Sequence, residues 1–258
     1  MSQVRAKKYL GQHFLRDTEI ARRIAESLTP GLASNVLEIG PGMGVLTQFL
    51  IENQNFKLTA VEIDKESVDY LHVHYPTLEV VEGDFLKMNL KTDFENKFSI
   101  IGNFPYNISS QIFFKVLDNR EQVPQVVCMI QKEVAERIAS RPGKKAYGIL
   151  SVLMQAFYTI DYLFTVHEHV FDPPPKVKSA VIRFTRNEVQ HLECDEKLFR
   201  TVVKTAFNQR RKTLRNSLNP LVEKGNSVYS DTIFDKRPEQ LSVEEFVLLT
   251  NMIAKSMK

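Results

Sequence analysis

The sequence predicts an α/β domain built on a parallel sheet, followed by a smaller all-α domain. Three observations carry this. Short strand-like runs alternate with helical patterns from residue 36 to residue 139, and alternation of that kind means parallel strands joined by right-handed crossovers. One run, 126–130 (Val-Val-Cys-Met-Ile), is apolar without a break, as in a strand covered on both faces. From Asn187 the period changes: Leu198, Phe199, Val202, Val203, Ala206 and Phe207 form a helical stripe with Lys197, Arg200 and Lys204 opposite. The predicted domains are therefore 1–186 and 187–258.

The elements follow in order. Asp17 caps a helix running to about residue 28, stopped by Thr29-Pro30-Gly31. Strands are expected at 36–39, 58–63, 78–81, 98–101 and 126–130, with helices at 45–51, 65–74, 109–117 and 132–139 between and after them. Ser109 reads as the N-cap of its helix. The apolar stretch 148–158 reads as a helix. Strand-like pieces near 162–166 and 180–184 follow, the second paired with its neighbour at the sheet edge. Leu214/Leu218 and 246–253 supply further C-terminal helices.

Composition narrows the class. Of 258 residues 43% are hydrophobic and 25% charged, with only 10 Gly and 11 Pro; a disordered or collagen-like chain is excluded. The most apolar stretch, 149–160, is broken by Ser151 and Gln155, so no membrane span is expected. The charged N-terminus has no apolar run after it, so no secretory signal is expected. Two isolated cysteines, Cys128 and Cys194, give no disulfide framework and point to a reducing cytoplasm. The pairs His72/His74 and His167/His169 have no third ligand nearby in the sequence, and no metal is expected.

Charge is unevenly distributed. Lys197, Arg200, Lys204, Arg210, Arg211, Lys212 and Arg215 succeed one another with no acidic residue among them, and Arg5, Lys7, Lys8 and Arg16 are likewise unopposed. The rest of the chain is net acidic. Two basic segments on an acidic body suit a polyanionic partner. Arg200, Lys204, Arg210, Arg211, Lys212 and Arg215 are the candidate phosphate contacts.

The first strand ends in Glu38-Ile39-Gly40-Pro41-Gly42-Met43-Gly44. Glycines at 40, 42 and 44 allow a tight turn and close approach to a ligand. Glu62, at the end of the second strand, can accept both hydroxyls of a ribose. NAD and S-adenosylmethionine both satisfy that geometry. Two details favour S-adenosylmethionine: Val45 stands where the dinucleotide fingerprint needs its third glycine, and Gly83-Asp84-Phe85 follows the third strand, offering an acceptor for an adenine amine and an apolar wall. Alone, Asp84 would read as a cap or turn former. In register with Gly40 and Glu62 at successive strand ends, it reads as a ligand contact.

After the fourth strand comes Gly102-Asn103-Phe104-Pro105-Tyr106-Asn107-Ile108-Ser109. An exocyclic amine such as adenine N6 is a poor nucleophile because its lone pair is delocalised into the ring. The Asn103 side-chain oxygen and a backbone carbonyl next to Pro105 can hold its two hydrogens, turning the lone pair toward a methyl sulfonium. Pro105 stiffens the loop and Tyr106 can stack on the base. Catalysis is then positioning and electrostatics, with no covalent intermediate.

These segments closely resemble the S-adenosylmethionine-dependent rRNA adenine N6,N6-dimethyltransferases, specifically the small-subunit (16S) dimethyladenosine transferase group. The resemblance spans nearly the whole chain: Gly11-Gln12-His13-Phe14-Leu15, the EIGPGMGVLT turn, Glu62, Gly83-Asp84, GNFPYNIS, QKEVAERI at 131–138, Phe171-Asp172-Pro173-Pro174-Pro175-Lys176-Val177-Lys178-Ser179-Ala180-Val181, and Phe207-Asn208-Gln209-Arg210-Arg211-Lys212-Thr213-Leu214-Arg215-Asn216. It implies a Rossmann-like methyltransferase sheet with a helical RNA-docking domain. His13, Leu15, Gly40, Glu62, Asp84 and Asn103 are implied around the methyl donor, joining Gly42 of the glycine turn and the Phe85 wall, and Tyr106 and Phe171 are implied on the two faces of the target adenine. Three consecutive prolines form a stiff strut suited to holding Phe171 at a pocket mouth. Two positions depart from the family's usual residues: His13 stands for Asn, and Phe104 for Leu. The resemblance further implies a monomer acting on 16S rRNA in a small ribosomal subunit or its precursor. The alternatives are a large-subunit rRNA adenine methyltransferase of the antibiotic-resistance type, a non-catalytic RNA-binding assembly factor on the same scaffold, and a NAD dehydrogenase. Intact Glu62, Asp84, Asn103, Pro105 and Tyr106 disfavour the second; Val45 and the lack of a recognisable hydride-relay histidine disfavour the third.

Overall fold

The computed structural model describes residues 4–256. The chain divides into two compact units. One comprises the described residues up to Ala135 together with Thr159–Arg186; the other comprises Glu136–Tyr158 and the residues from Asn187 onward.

In chain order the elements to the end of the first unit are β1 (Phe14–Leu15), α1 (Thr18–Ala25), β2 (Asn35–Ile39), α2 (Thr47–Leu50), β3 (Lys57–Glu62), α3 (Lys65–His74), β4 (Glu79–Glu82), α4 (Leu90–Asp93), β5 (Phe98–Asn103), α5 (Ser109–Asp118), β6 (Gln125–Gln131), α6 (Lys132–Ile138), α7 (Ile149–Gln155), β7 (Tyr158–Val166), β8 (Phe171–Asp172) and β9 (Ser179–Arg186). Seven strands form one sheet in the order β4-β3-β2-β5-β6-β9-β7. The first five are parallel. β9 runs antiparallel to β6, from Gln125↔Thr185 to Gln131↔Ser179. It lies between β6 and β7, so β7 is the edge strand. Strand order reverses between β2 and β5, which opens a crevice at the carboxyl ends of the central strands.

The buried strands are apolar on both faces: Val36, Leu37 and Ile39 in β2, Ile100 and Ile101 in β5, and every side chain from Val126 to Ile130 in β6 are buried. Local chemistry sets the helix starts. Asp17 accepts from the Ile20 N–H (3.0 Å) at the head of α1, and Asp64 from the Glu66 N–H (3.2 Å) at the head of α3, in each case satisfying a donor with no partner inside the helix. Ser109 is the first residue of α5 and not its cap; Ile108 holds the cap position, and the Ser109 hydroxyl donates back to the Tyr106 carbonyl at 3.2 Å. β1 and β8 pair antiparallel as a separate two-stranded sheet, Phe14 opposite Asp172 and Leu15 opposite Phe171.

The second unit is helical. α7 joins α8 (Glu196–Asn208), α9 (Leu214–Ser217) and α10 (Val243–Ser256). Phe199, Val202, Val203, Ala206 and Phe207 are the buried face of α8; Leu198 lies at its margin. α8 packs on α7 and α10, with Phe207 between the rings of Tyr147 (6.4 Å) and Phe246 (6.0 Å). Residues 136–158, which the sequence places in the first domain, belong here. Val152, Leu153 and Met154 of α7 need cover, and the stripe of α8 supplies it. The Asn187 N–H also bonds the Phe157 carbonyl (3.0 Å). Among the described residues no helix is long and apolar enough to cross a membrane.

Candidate active site

A cavity of about 260 Å³ lies in the first unit where the strand order reverses. Its wall takes Ile39 and Gly40 from the end of β2, Glu62 from the end of β3, Gly83, Asp84 and Phe85 from beyond β4, and Asn103 to Ile108 from the end of β5. Of the expected donor contacts, His13, Gly40, Gly42, Glu62, Asp84, Phe85 and Asn103 all line it, as do Pro105 and Tyr106.

Glu62 is 4% exposed. Its Oε2 accepts from the Gly42 N–H (3.0 Å) and its Oε1 from the Asp64 N–H (2.8 Å). Burial pushes its carboxyl above the ordinary range, and these two bonds pull it back. A carboxylate oxygen has a second lone pair, so both oxygens can still accept from a ligand in the cavity. Gly42 has φ +58°, and a Cβ there would stand 2.9 Å from the Phe14 ring; the glycine keeps the turn close to Glu62. Behind this turn, Glu38 is fully buried. Its Oε2 accepts from the Thr47 hydroxyl (2.7 Å), its Oε1 has no partner, and burial pushes its pKa up to about 8.

Asp84 does two things. Its Oδ1 accepts from the Leu86 N–H (2.9 Å), capping the short turn Phe85–Lys87, and the residue also lines the cavity beside the buried Phe85 ring.

Asn103 ends β5. Its Nδ2 donates to the His13 backbone carbonyl at 3.0 Å. A carbonyl only accepts, so this bond fixes which amide atom is which and leaves Oδ1 as the uncommitted acceptor. Gly102, just before it, admits no side chain: a Cβ would fall 2.5 Å from the Ile39 carbonyl oxygen of β2. In the loop, Phe104 N–H donates to Met129 O (3.0 Å) and Pro105 O accepts from Ile108 N–H (3.2 Å). Phe104 is buried and packs near Phe113. The Tyr106 hydroxyl bonds the buried Ser179 Oγ at 2.6 Å. Burial pushes the Tyr106 phenol upward.

Residues 9–14 form part of the cavity wall, and apart from His13 this was not legible beforehand. Tyr9, Leu10, Gly11, Gln12 and Phe14 line the cavity with His13. Asp64 accepts from Lys7 and from Gln12 Nε2 (3.1 Å), and Arg16 pairs with Asp172. Lys7 and Arg16, expected as unopposed cations, are thus held by carboxylates. His13 uses its main chain for Asn103 and its ring elsewhere: Nδ1 is 2.7 Å from the Pro173 carbonyl, and the ring stacks near Tyr106 at 5.6 Å and 29°.

Leu15 and Phe171 are placed differently from expectation. They face each other across the β1–β8 pair, 4% and 3% exposed, inside the apolar core and off the cavity wall. The strut of prolines follows Phe171, but strand pairing with Leu15 turns its ring inward.

In the helical unit, Lys204, Arg211 and Lys212 are exposed and Arg200 is half-buried. Arg210 donates to the Lys145 carbonyl. Arg215 departs from the expected free cation: it donates to Asp235 Oδ1 through Nε (3.2 Å) and Nη2 (2.6 Å), and to the Tyr229 carbonyl through Nη1.

The chain is 61% identical, over 100% of its length and 97% of the other's, to the ribosomal RNA small subunit methyltransferase A of Parabacteroides distasonis. It is 60% identical to that of Cytophaga hutchinsonii, over 98% of this chain and 99% of the other. Among solved structures it is similar to a dimethyladenosine transferase from Plasmodium falciparum (TM-score 0.79, 26% identity, 94% of this chain and 98% of that one). It is also similar to the 23S rRNA methyltransferase ErmE (TM-score 0.66, 26% identity, 93% and 99%). A family model described as ribosomal RNA adenine dimethylase matches residues 3–255, and the chain, with its glycine turn, Glu62, Asp84 and Asn103 gathered on one cavity, belongs to that family.

Proposed function

We propose that this protein transfers methyl groups from S-adenosyl-L-methionine to N6 of two adjacent adenosines near the 3′ end of small-subunit (16S) rRNA, giving N6,N6-dimethyladenosine during small-subunit maturation. The observation that carries the chemistry is the oriented amide of Asn103, whose Nδ2 is spent on the His13 carbonyl so that Oδ1 is left to accept. Full-length identity of about 60% to small-subunit methyltransferases supports the choice of RNA.

When bound, the donor supplies an electrophilic methyl on a sulfonium. Glu62 accepts from its ribose hydroxyls, Asp84 from its adenine amine, Phe85 covers the ring, and Gly40 and Gly42 let the backbone approach. Asn103 Oδ1 accepts one hydrogen of the target amine. The backbone carbonyl of Phe104, next to Pro105, accepts the other; the Pro105 carbonyl already accepts from Ile108 N–H and has one lone pair left. Holding both hydrogens off the ring plane turns the nitrogen lone pair toward the methyl carbon. Such preorganised contacts account for the rate without a strong base. Each transfer forms the N–C bond as the donor's C–S bond breaks to a neutral thioether, and the alkylated nitrogen releases one proton to solvent; one hydrogen remains after the first transfer, so the second needs only one of the two acceptors.

Tyr106, fixed at its hydroxyl by Ser179, stacks on the base. Phe171 takes the other face only if the 170–173 segment uncovers it. Arg200, Lys204, Arg210, Arg211 and Lys212 meet phosphate, which adds affinity without reading sequence; the protein acts as a monomer in the cytoplasm.

The test is mass spectrometry of unmethylated small-subunit particles and of large-subunit rRNA after incubation with the protein and labelled donor. Adjacent dimethyladenosines near the 3′ end of the small-subunit RNA are expected. Label on large-subunit RNA alone, or none, would refute the proposal. Asn103→Ala should lower turnover by roughly two orders of magnitude.

A further inference from the structure

Phe85 and Asp84 sit on a turn that is too short to hold itself. The turn Phe85–Lys87 has three residues, closed by Lys87 N–H to Asp84 O (2.9 Å) and Met88 N–H to Phe85 O (3.3 Å). A single helical turn is unstable alone, since it fixes several dihedral angles for one or two bonds. Asp84 secures its N-terminal end from within. The C-terminal end is secured from outside, by Lys115 of α5. Its Nζ donates to the Leu86 carbonyl (2.9 Å) and the Met88 carbonyl (2.5 Å) and stands 5.3 Å from the centre of the Phe85 ring.

An ammonium fits this place. The last carbonyls of a turn lack internal partners and carry partial negative charge; Lys has three donors and no acceptor. Half-buried, it is deprotonated more readily than usual, an effect of burial that Asp84 and Asp93 oppose. α5 packs against the turn. The same helix begins at Ser109, whose hydroxyl is bonded to the Tyr106 carbonyl. One rigid element therefore reaches both the loop that presents Asn103 and the turn that presents Asp84.

We propose that Lys115 is a positioning residue for the adenine end of the methyl donor, holding the 84–88 turn so that Asp84 and Phe85 keep a fixed register with the cavity. The proposal rests on the cavity being the S-adenosylmethionine site. Lys115 does not touch the donor: it acts through the two carbonyls. Its signature is therefore discrimination at the adenine amine, and not only affinity or stability.

The experiment compares S-adenosylhomocysteine with S-inosylhomocysteine, in which a carbonyl replaces the amine, by calorimetry on wild type, Lys115→Met, Lys115→Gln and Lys115→Arg. Wild type should prefer the adenosyl compound strongly. Lys115→Met should bind it about tenfold more weakly and lose at least fivefold of the preference. Lys115→Gln, with a stem two methylenes shorter and a neutral amide, should shift the same way and serves if the Met variant does not fold. Lys115→Arg, which can donate to both carbonyls, should stay within threefold of wild type. In turnover, KM for the donor should rise while kcat at saturation stays within threefold. A Met or Gln variant with the wild-type preference, however much both affinities fall, overturns the proposal and makes Lys115 a brace. Wild type that binds neither nucleoside overturns the cofactor site itself, a result distinct from the first.

Discussion

Glu62→Gln is the most informative single change at the candidate donor site. The carboxylate now meets two backbone donors with two separate oxygens, Gly42 N–H at 3.0 Å and Asp64 N–H at 2.8 Å. Glutamine keeps the shape but has one oxygen and one NH₂, so one N–H must face another donor. A buried donor left unpaired costs about 1–3 kcal/mol of folding stability. The ribose also loses one charged acceptor, worth about 1.5–3 kcal/mol, which is roughly a 10- to 150-fold rise in donor Kd. Alanine would strand both N–H groups and confuse the two effects. Isothermal titration with S-adenosylmethionine gives the affinity and urea unfolding gives the stability. A folded Gln variant with unchanged donor affinity would show that Glu62 serves the glycine turn alone and that the ribose lies elsewhere.

Glu38 carries a pH signature. Its folded pKa of about 8 lies above the ordinary carboxyl value, so the folded state holds a proton that the unfolded chain has released. Stability should fall as pH rises from about 4.5 to 8, by at most about 1.4 kcal/mol per unit; Glu38→Gln should flatten that fall in urea titrations at successive pH values, and an unaltered slope would assign it to other groups. Tyr106→Phe should keep most methyl transfer, at a stability cost near ~1 kcal/mol for the unpaired Ser179 hydroxyl, whereas Tyr106→Ala should lose ~1–3 kcal/mol of base capture; a Phe variant as inactive as the Ala variant would count against stacking. Phe171→Ala should lower stability by about 3–5 kcal/mol as a core truncation, so an undiminished melting temperature would contradict its burial. Replacing Arg211 and Lys212 with Ala should flatten the salt dependence of particle binding by about 1.5 units of log-log slope with stability unchanged, while Arg215→Ala should lower stability by about 1 kcal/mol; the opposite assignment in paired binding and melting measurements would exclude Arg211 and Lys212 as the phosphate contacts.

What could be read in advance follows from the range of each signal. β6 announces itself because burial on both faces makes it continuously apolar, β2, β3 and β5 because short apolar runs alternate with helical patterns, and Gly40, Glu62, Asp84 and Asn103 because each stands at or just beyond the carboxyl end of a strand. β1 and β8 do not, since two residues show no alternation and their partners are distant in sequence. Lys7 reads as unopposed because nothing near it in the chain is acidic; its partner Asp64 lies 57 residues on, where it also caps α3. Arg215 misled in the same way: its spacing from Arg211 fits a helix face, but α9 is only Leu214–Ser217, and the chain beyond returns Asp235 to its guanidinium. Phe171 was assigned by resemblance against its own apolar character, and the pairing with Leu15 favours that character.

The bond between Asn103 and residue 13 has an implication for how freely that position can change. What Asn103 grips is a peptide oxygen, which all twenty amino acids carry. No substitution at 13 can delete it by chemistry, only by bending the strand away. The side chain is thereby released from holding the Asn103 amide and is available for another task. Histidine at this position has taken one, reaching Pro173 and the Tyr106 ring, without disturbing the acceptor that orients the amide.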